Sequence, residues 1–257
     1  MSERILLDGE RLDKINENLT LIQKEKGLTF GTDAYLLASY IRPNSKHKAV
    51  ELGAGTGIIS LLCATRNKFA KIYAIEIQKD FAELAERNVK YNRLADKVEI
   101  ICANAADLKS DDVGGEVDVV FSNPPYMRTD SGKRNESDYK YIARHEVFGG
   151  IEDFCAAAYR LLKHGGKFYC VWRPDRLSEL MQAMAHNRLE PKIMTFVHAD
   201  THTEPSMVLV SAIKGGAPSM KVTRPILLYE DKIEAGGKRS MTADAEKIYD
   251  TMSVDID

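Results

Sequence analysis

Two features that would narrow the function at once are missing from this chain: a strong charge of either sign and a long apolar run. With 36 Lys and Arg against 38 Asp and Glu, the formal net charge is −2. The pI near 6.3 gives no global basic field to draw in a polyanion. Bulk charge therefore does not announce a nucleic-acid partner, and only a local patch could serve one. No stretch reaches the roughly 18 uninterrupted apolar residues that a membrane span needs. The opening, MSERILLDGERLDK, is charged from its third residue and lacks the apolar core of a secretion signal. A soluble protein of the cytoplasm, with no membrane partner, is the expectation.

Cysteine is sparse as well. Cys63, Cys102, Cys155 and Cys170 lie far apart, form no C-x-x-C pair, and three of them sit inside apolar runs. That pattern reads as buried, reduced thiols rather than disulfides or a zinc site. His198 and His202 are four apart, but they fall across a strand end and a loop, so no metal site is expected. Repeats and low-complexity tracts are absent. The 257 residues suffice for one large α/β domain or two small ones.

What is present is a rhythm. From residue 48, short apolar runs alternate with longer amphipathic ones. The runs are KAVELGA (48–54), KIYAIEI (71–77), KVEIICA (97–103), VDVVFSN (117–123) and KFYCVW (167–172). Between them, QKDFAELAERNVKYNRL sets Phe81, Leu84, Ala85 and Val89 at helical spacing, and FCAAAYRLLKHGG (154–166) reads as a helix stopped by Gly165 and Gly166. Strands alternating with helices predict a mostly parallel sheet covered on both faces. KIMTFVHA (192–199) and MVLVSAI (207–213) have no helix between them and should form an antiparallel hairpin. Seven strands, five parallel plus a terminal hairpin, resemble the Rossmann-like fold of class I S-adenosylmethionine-dependent methyltransferases. Residues 1–47 read as an N-terminal segment packed on this domain, 48–216 as the domain itself, and 217–257 as its extension. Within the first segment Ala34, Leu37, Ala38 and Ile41 predict a helix, with Thr32 or Asp33 as its cap. In the extension, TADAEKIYDTM predicts a last helix.

In VELGAGTGIIS (50–60) a strand runs into Gly53, Gly55 and Gly57 and then a helix. The dinucleotide fingerprint needs G-x-G-x-x-G, and residue 58 is Ile, which weakens a nicotinamide or flavin reading. Either ligand would need a tight turn and a backbone without a Cβ in the way. Glu76 ends the second strand, about 20 residues on, where a carboxylate can accept hydrogen bonds from ribose hydroxyls. Asn104 ends the third. Taken alone, the glycines fit a plain tight turn equally well. With Glu76, Asn104 and the next motif all at successive strand ends, a bound cofactor is the better reading. In methyltransferases that cofactor is S-adenosylmethionine, and the resemblance implies that Glu51 positions its methionine end and Asn104 meets its adenine.

The fourth strand ends in Asn123-Pro124-Pro125-Tyr126. Two prolines remove two backbone donors and fix two φ angles, a poor way to continue a strand. An N-P dipeptide can be a plain turn, but this one stands beside the cofactor site. It resembles the (D/N/S)-P-P-(Y/F/W) motif of enzymes that methylate a nitrogen conjugated to a planar π system. The resemblance implies that the Asn123 side-chain oxygen and the Pro124 carbonyl accept the two N–H bonds of that nitrogen, while Tyr126 stacks on its ring. Adenine N6, guanine N2, cytosine N4 and a glutamine amide all fit the motif.

The whole chain is similar to the bacterial tRNA adenine-N6 methyltransferases that act on the adenosine 3′ of the anticodon in a valine tRNA. QKEKGLTFGTDAYLLA, ARHE (143–146) and PILLY carry that likeness beside NPPY. It implies a tRNA partner and adds Thr32 and Asp33 to the cofactor-binding set. Between 128 and 144, Arg128, Lys133, Arg134, Lys140 and Arg144 outnumber three carboxylates by two, with Tyr139 and Tyr141 interleaved. That mixture suits phosphates and unstacked bases, although a solvated loop would have the same composition. Competing readings are the glutamine methyltransferases of release factors, ribosomal-RNA guanine-N2 methyltransferases, and a silent RNA-binding domain. The first needs a helical domain before the glycine loop, and only 49 residues precede Val50. Intact glycines, Glu76 and NPPY argue against the last.

Overall fold

A strand apolar on both faces is buried when both sides of its sheet are covered, and the five apolar runs between 48 and 172 become strands of one such sheet, the third of them at its edge. The computed structural model describes residues 6–25, 31–124, 150–233 and 239–255. A hairpin of β1 (Glu10–Asn16) and β2 (Leu19–Lys24) and a helix α1 (Thr32–Tyr40) come first. Then follow β3 (Lys48–Leu52), α2 (Ile58–Thr65), β4 (Lys71–Glu76), α3 (Lys79–Tyr91), β5 (Val98–Cys102) and β6 (Val117–Ser122). The second half holds α4 (Ile151–Leu161), β7 (Leu162–Trp172), α5 (Leu177–His186), β8 (Leu189–His198) and β9 (Pro205–Lys214). The tail carries β10 (Lys221–Val222), β11 (Ile226–Leu227), β12 (Tyr229–Ile233), β13 (Arg239–Met241) and α6 (Ala243–Thr251).

The sheet runs β10-β8-β9-β7-β6-β3-β4-β5, with β11 also on β8. Within it, β9 runs against both of its neighbours. The seven expected strands and their hairpin are all present, and two two-residue strands lengthen the edge at β8. One face buries Leu36, Leu37, Ile58, Leu61, Leu62 and Val89 with Ile248 of α6. The other buries Phe154, Leu161, Phe168, Trp172, Leu180 and Met184.

Two local expectations fail for identifiable reasons. The helix read as 154–166 ends at Leu161, and Gly165 and Gly166 lie inside β7. There the register against β6 jumps from Val117↔Leu162 to Val119↔Lys167. Gly165 takes φ +77°, and a Cβ on Gly166 would sit 2.9 Å from the Lys163 carbonyl oxygen. The glycines thus form a bulge in a strand, where the sequence read a helix stop. At α1 neither Thr32 nor Asp33 is the cap: Gly31 holds that position in extended backbone, and the two polar residues open the first turn. The charged stretch before residue 25, finally, is the hairpin, which no periodicity disclosed.

Two asparagines explain how that polar hairpin docks. Asn88 and Asn92 stand one turn apart on α3. The Asn88 Oδ1 accepts from Ile22 N at 2.6 Å and its Nδ2 donates to the Ile22 carbonyl at 3.1 Å. Asn92 repeats this with Thr20, at 3.0 Å and 2.7 Å. The side-chain amides replace a neighbouring strand for alternate residues of β2. Arg87 adds a two-pronged pair to Glu10, 2.7 Å from Nη1 to Oε2, and holds that carboxyl below its usual range. On the opposite side, buried Lys68 donates to the Ala38 and Ile41 carbonyls at 2.7 Å and 2.8 Å, satisfying the end of α1. Its burial lowers its pKa.

Asn88 also donates to the Thr56 carbonyl at 3.1 Å, so one buried amide joins the hairpin to the glycine loop. Asn88→Leu keeps the branched four-atom shape and strands these backbone groups. It is expected to cost about 3 kcal/mol in urea unfolding. A loss under about 0.5 kcal/mol would show that the hairpin is held by its leucines alone.

Candidate active site

The direction of sheet growth reverses between β3 and β6, and ligands of open α/β sheets bind in the crevice at such a point. Leu52 and Ser122 are register partners, and the Ser122 hydroxyl donates to the Leu52 carbonyl at 2.8 Å. The two strands therefore end level, one continuing into Gly53 and the other into Asn123. Alongside, β4 and β5 end together at Glu76↔Cys102.

Gly53, Gly55 and Gly57 have φ of +73°, +55° and +82°, a left-handed run that side chains resist. This is the physical content of the G-x-G-x-G spacing. Two carboxylates shape the loop from beneath. Glu76, 5% exposed, accepts from Gly55 N at 2.7 Å and from Gln78 N at 2.8 Å, one on each oxygen. Burial raises its pKa against the pull of those N–H groups. Glu51, 1% exposed, accepts from Ser60 N at 2.9 Å and from the Ser60 hydroxyl, binding β3 to the first turn of α2. Burial pushes its pKa up to about 8, and Glu76 adds a little.

The site suits a nucleoside cofactor on two counts. A Cβ on Gly55 would meet nothing within 4 Å, so the loop presents open space on that side. The Glu76 carboxylate offers about four lone-pair positions, and hydroxyl donors are among the groups it can accept from. Asn104 is half-buried at the end of β5, where its Oδ1 accepts from Ala106 N at 3.0 Å within its own turn.

Asn123 and buried Pro124 stand where expected, but Pro125 and Tyr126 lie outside the described residues. So do Arg128, Lys133, Arg134, Lys140, Arg144 and the His145–Glu146 pair. Thr32 and Asp33 reach the site from α1. Thr32 is the first residue of that helix, and Asp33 Oδ2 accepts from Asn123 Nδ2 at 2.8 Å. Sequence reasoning did not find that contact, since 90 residues separate the partners. It also missed Ser60, although a hydroxyl in the turn after a glycine loop, nine residues from a strand carboxylate, is a readable signal. Cys63, Cys155 and Cys170 are buried, and burial pushes the first two thiols up to about 12, but Cys102, at the end of the edge strand β5, is exposed, against the expectation that all four are buried.

The buried carboxyl yields a pH test. Between its ordinary value of 4.5 and about 8, Glu51 is protonated in the fold and ionised in the unfolded chain. The native state holds the extra proton there, so stability falls as pH rises through that window and levels off above it. Glu51→Gln keeps an acceptor for Ser60 and is expected to flatten much of this decline. Thermal melts at about pH 5.5 and about pH 8.5 measure it; an unchanged slope would mean that Glu51 is ionised in the fold.

The chain is similar to known proteins in sequence and in fold. The family model described as the methyltransferase small domain matches residues 25–190. A relative from Phocaeicola vulgatus, named tRNA1(Val) (adenine(37)-N6)-methyltransferase, is 31% identical over 76% of this chain and 81% of its own length. One of the same name from Dyadobacter fermentans is 29% identical over 72% and 75%. Among solved structures, a predicted O-methyltransferase from Agrobacterium tumefaciens superposes with a TM-score of 0.68 at 22% identity, covering 87% of this chain and 98% of that one. M. jannaschii TYW2 in complex with AdoMet gives 0.54 at 16%, over 80% and 86%. The likeness to solved structures extends to the fold, and the match at residues 25–190 takes in the glycine loop, Glu76 and Asn123 together: the chain belongs to the methyltransferase small-domain family.

Proposed function

We propose that this protein methylates the exocyclic N6 of an adenosine in tRNA, at position 37 beside the anticodon of a valine tRNA, using S-adenosylmethionine. One observation carries the chemistry. Asn123 and Pro124 leave β6 level with the glycine loop leaving β3, so an amine acceptor and a nucleoside cradle share one crevice. The curated relatives that the chain matches over about three quarters of its length support the substrate.

S-adenosylmethionine supplies an electrophilic methyl group when bound. Gly53, Gly55 and Gly57 would leave the backbone open to it, Glu76 would accept from its ribose hydroxyls and Asn104 would meet its adenine, while Glu51 holds the start of α2. An adenine N6 is a poor nucleophile because its lone pair is delocalised into the ring. Asn123 Oδ1 and the Pro124 carbonyl accept its two N–H bonds and favour the pyramidal nitrogen of the transition state. The two prolines keep both acceptors in place, and Tyr126 stacks on the flipped base. After transfer the nitrogen is cationic and acidic, and its proton passes to solvent. No step calls for a metal or a strong base. The basic residues between 128 and 144 hold RNA phosphates, and a tRNA substrate implies a cytoplasmic enzyme.

The glutamine methyltransferase reading gains nothing from the fold. Ahead of β3 the described residues form a hairpin and one helix, with no helical domain among them.

Incubation with S-adenosylmethionine and unmodified valine tRNA, followed by digestion and mass spectrometry, should yield N6-methyladenosine. A transcript carrying guanosine at position 37 should yield none. Asn123→Ala is expected to lower the single-turnover rate at least about 100-fold while cofactor affinity changes less than about threefold. Equal loss of rate and affinity would contradict the role given to Asn123. Absence of any methylated nucleoside would overturn the tRNA substrate.

A further inference from the structure

We propose that Asp33 is a positioning residue that sets which atom of the Asn123 amide faces the methyl-accepting nitrogen. The inference rests on the proposed function, in which Asn123 Oδ1 receives that nitrogen's N–H. An asparagine amide can be turned over by half a rotation with little change of shape, and only its hydrogen-bond partners decide which end points where. Turned the wrong way, Asn123 would offer an NH₂ group to another N–H. A carboxylate accepts and never donates while ionised. Asp33 Oδ2 stands 2.8 Å from Asn123 Nδ2, so the amide nitrogen is drawn to Asp33 and Oδ1 is directed to the other side. The charge on Asp33 also polarises the amide and makes Oδ1 a better acceptor.

Asp33 is itself held. Its Oδ1 accepts from Ala34 N at 2.9 Å. It lies in the first turn of α1, where the helix dipole favours an anion. Around it, α1 is clamped by α6: Tyr35 and Tyr249 stack with ring centroids 4.7 Å apart, and Val254 N donates to the Ser39 carbonyl at 3.2 Å. Gly31 belongs to the device too, because a Cβ there would fall 2.8 Å from Asp33 Oδ1. A residue other than glycine would push the carboxylate off its place.

The polarity of the contact can be reversed. In Asp33→Asn, an amide at position 33 meets two donors, Ala34 N–H and the Asn123 NH₂, and can accept from only one. In Asn123→Asp, two carboxylates face each other at hydrogen-bond distance. In the double variant the new amide at position 33 accepts from Ala34 N–H with its oxygen and donates with its nitrogen to the new carboxylate at position 123. The second oxygen of that carboxylate then takes the place of the original Oδ1.

Single-turnover methylation of the valine tRNA and calorimetric S-adenosylmethionine binding test this. Asp33→Asn and Asn123→Asp are each expected to slow transfer about 30-fold or more, with cofactor affinity within about threefold. The double variant should run at least about tenfold faster than the slower single. Gly31→Ala should reproduce the Asp33 loss at smaller amplitude, with normal folding by circular dichroism. A double variant no faster than the slower single overturns the proposal. So does an Asp33→Asn protein that loses cofactor affinity but keeps its rate at saturation, which would make Asp33 a cofactor ligand. Failure of the underlying reading looks different: Asn123→Ala would then stay active. Failure of this inference alone leaves Asn123→Ala inactive and Asp33→Asn at full speed.

Discussion

The parallel pairing of β3 with β6 is the constraint from which the rest follows. In a parallel pair the two chains leave at the same end of the sheet, and Leu52↔Ser122 makes them leave at the same level. Growth of the sheet away from this pair in both directions puts α2 and α3 on one face and α4 and α5 on the other, with the crevice between them at the strand ends. A glycine loop and an Asn-Pro corner thus leave neighbouring strands side by side although about 70 residues separate them in sequence. Neither would do much alone.

Around that opening, carboxylates hold backbone N–H groups. Glu76 fixes Gly55, Glu51 fixes Ser60, and Asp33 fixes Ala34. Each restrains a turn that would otherwise sample many conformations, since glycine loses more freedom on ordering than any other residue. Burial of Glu51 and Glu76 opposes ionisation. Both sit at the glycine loop itself, where rigidity helps binding and carboxyl burial disfavours the free protein. Elsewhere neutral or cationic groups hold backbone in the same way, with Asn88 and Asn92 on the edge of β2 and Lys68 at the end of α1.

What the sequence disclosed and what it hid divide along one physical line. The strands, their terminal hairpin and the glycine turn were readable because unbroken apolar runs and left-handed turns leave their mark on residue type locally. The β1–β2 hairpin was not. Its strands carry Arg11, Asp13, Lys14 and Gln23, and its partner is a pair of asparagines about 70 residues downstream. The β7 bulge was misread for a related reason: Gly165 and Gly166 after leucines have the composition of a helix stop, and only the register against β6 reveals the difference. The contact of Asp33 with Asn123 spans 90 residues and has no periodicity at all. Local physics writes local patterns; long-range polar contacts have to be seen.

The near-absence of net charge takes on meaning against this background. The floor of the crevice is rich in acceptors: Glu76, Asp33, Asn123 Oδ1 and the Pro124 carbonyl. Both reactants of the proposed reaction arrive as donors or cations, one bearing a sulfonium and hydroxyls and the other an amine. A polyanionic RNA would be repelled by such a floor, and Coulomb forces there are little screened by salt. In sequence, Asn123 is followed by a tyrosine-bearing segment of the opposite sign. An enzyme that must hold a sulfonium and a phosphate backbone close together needs both signs, kept apart in space. A chain with 36 basic and 38 acidic residues meets that requirement, and a strongly basic protein would be the harder case to explain.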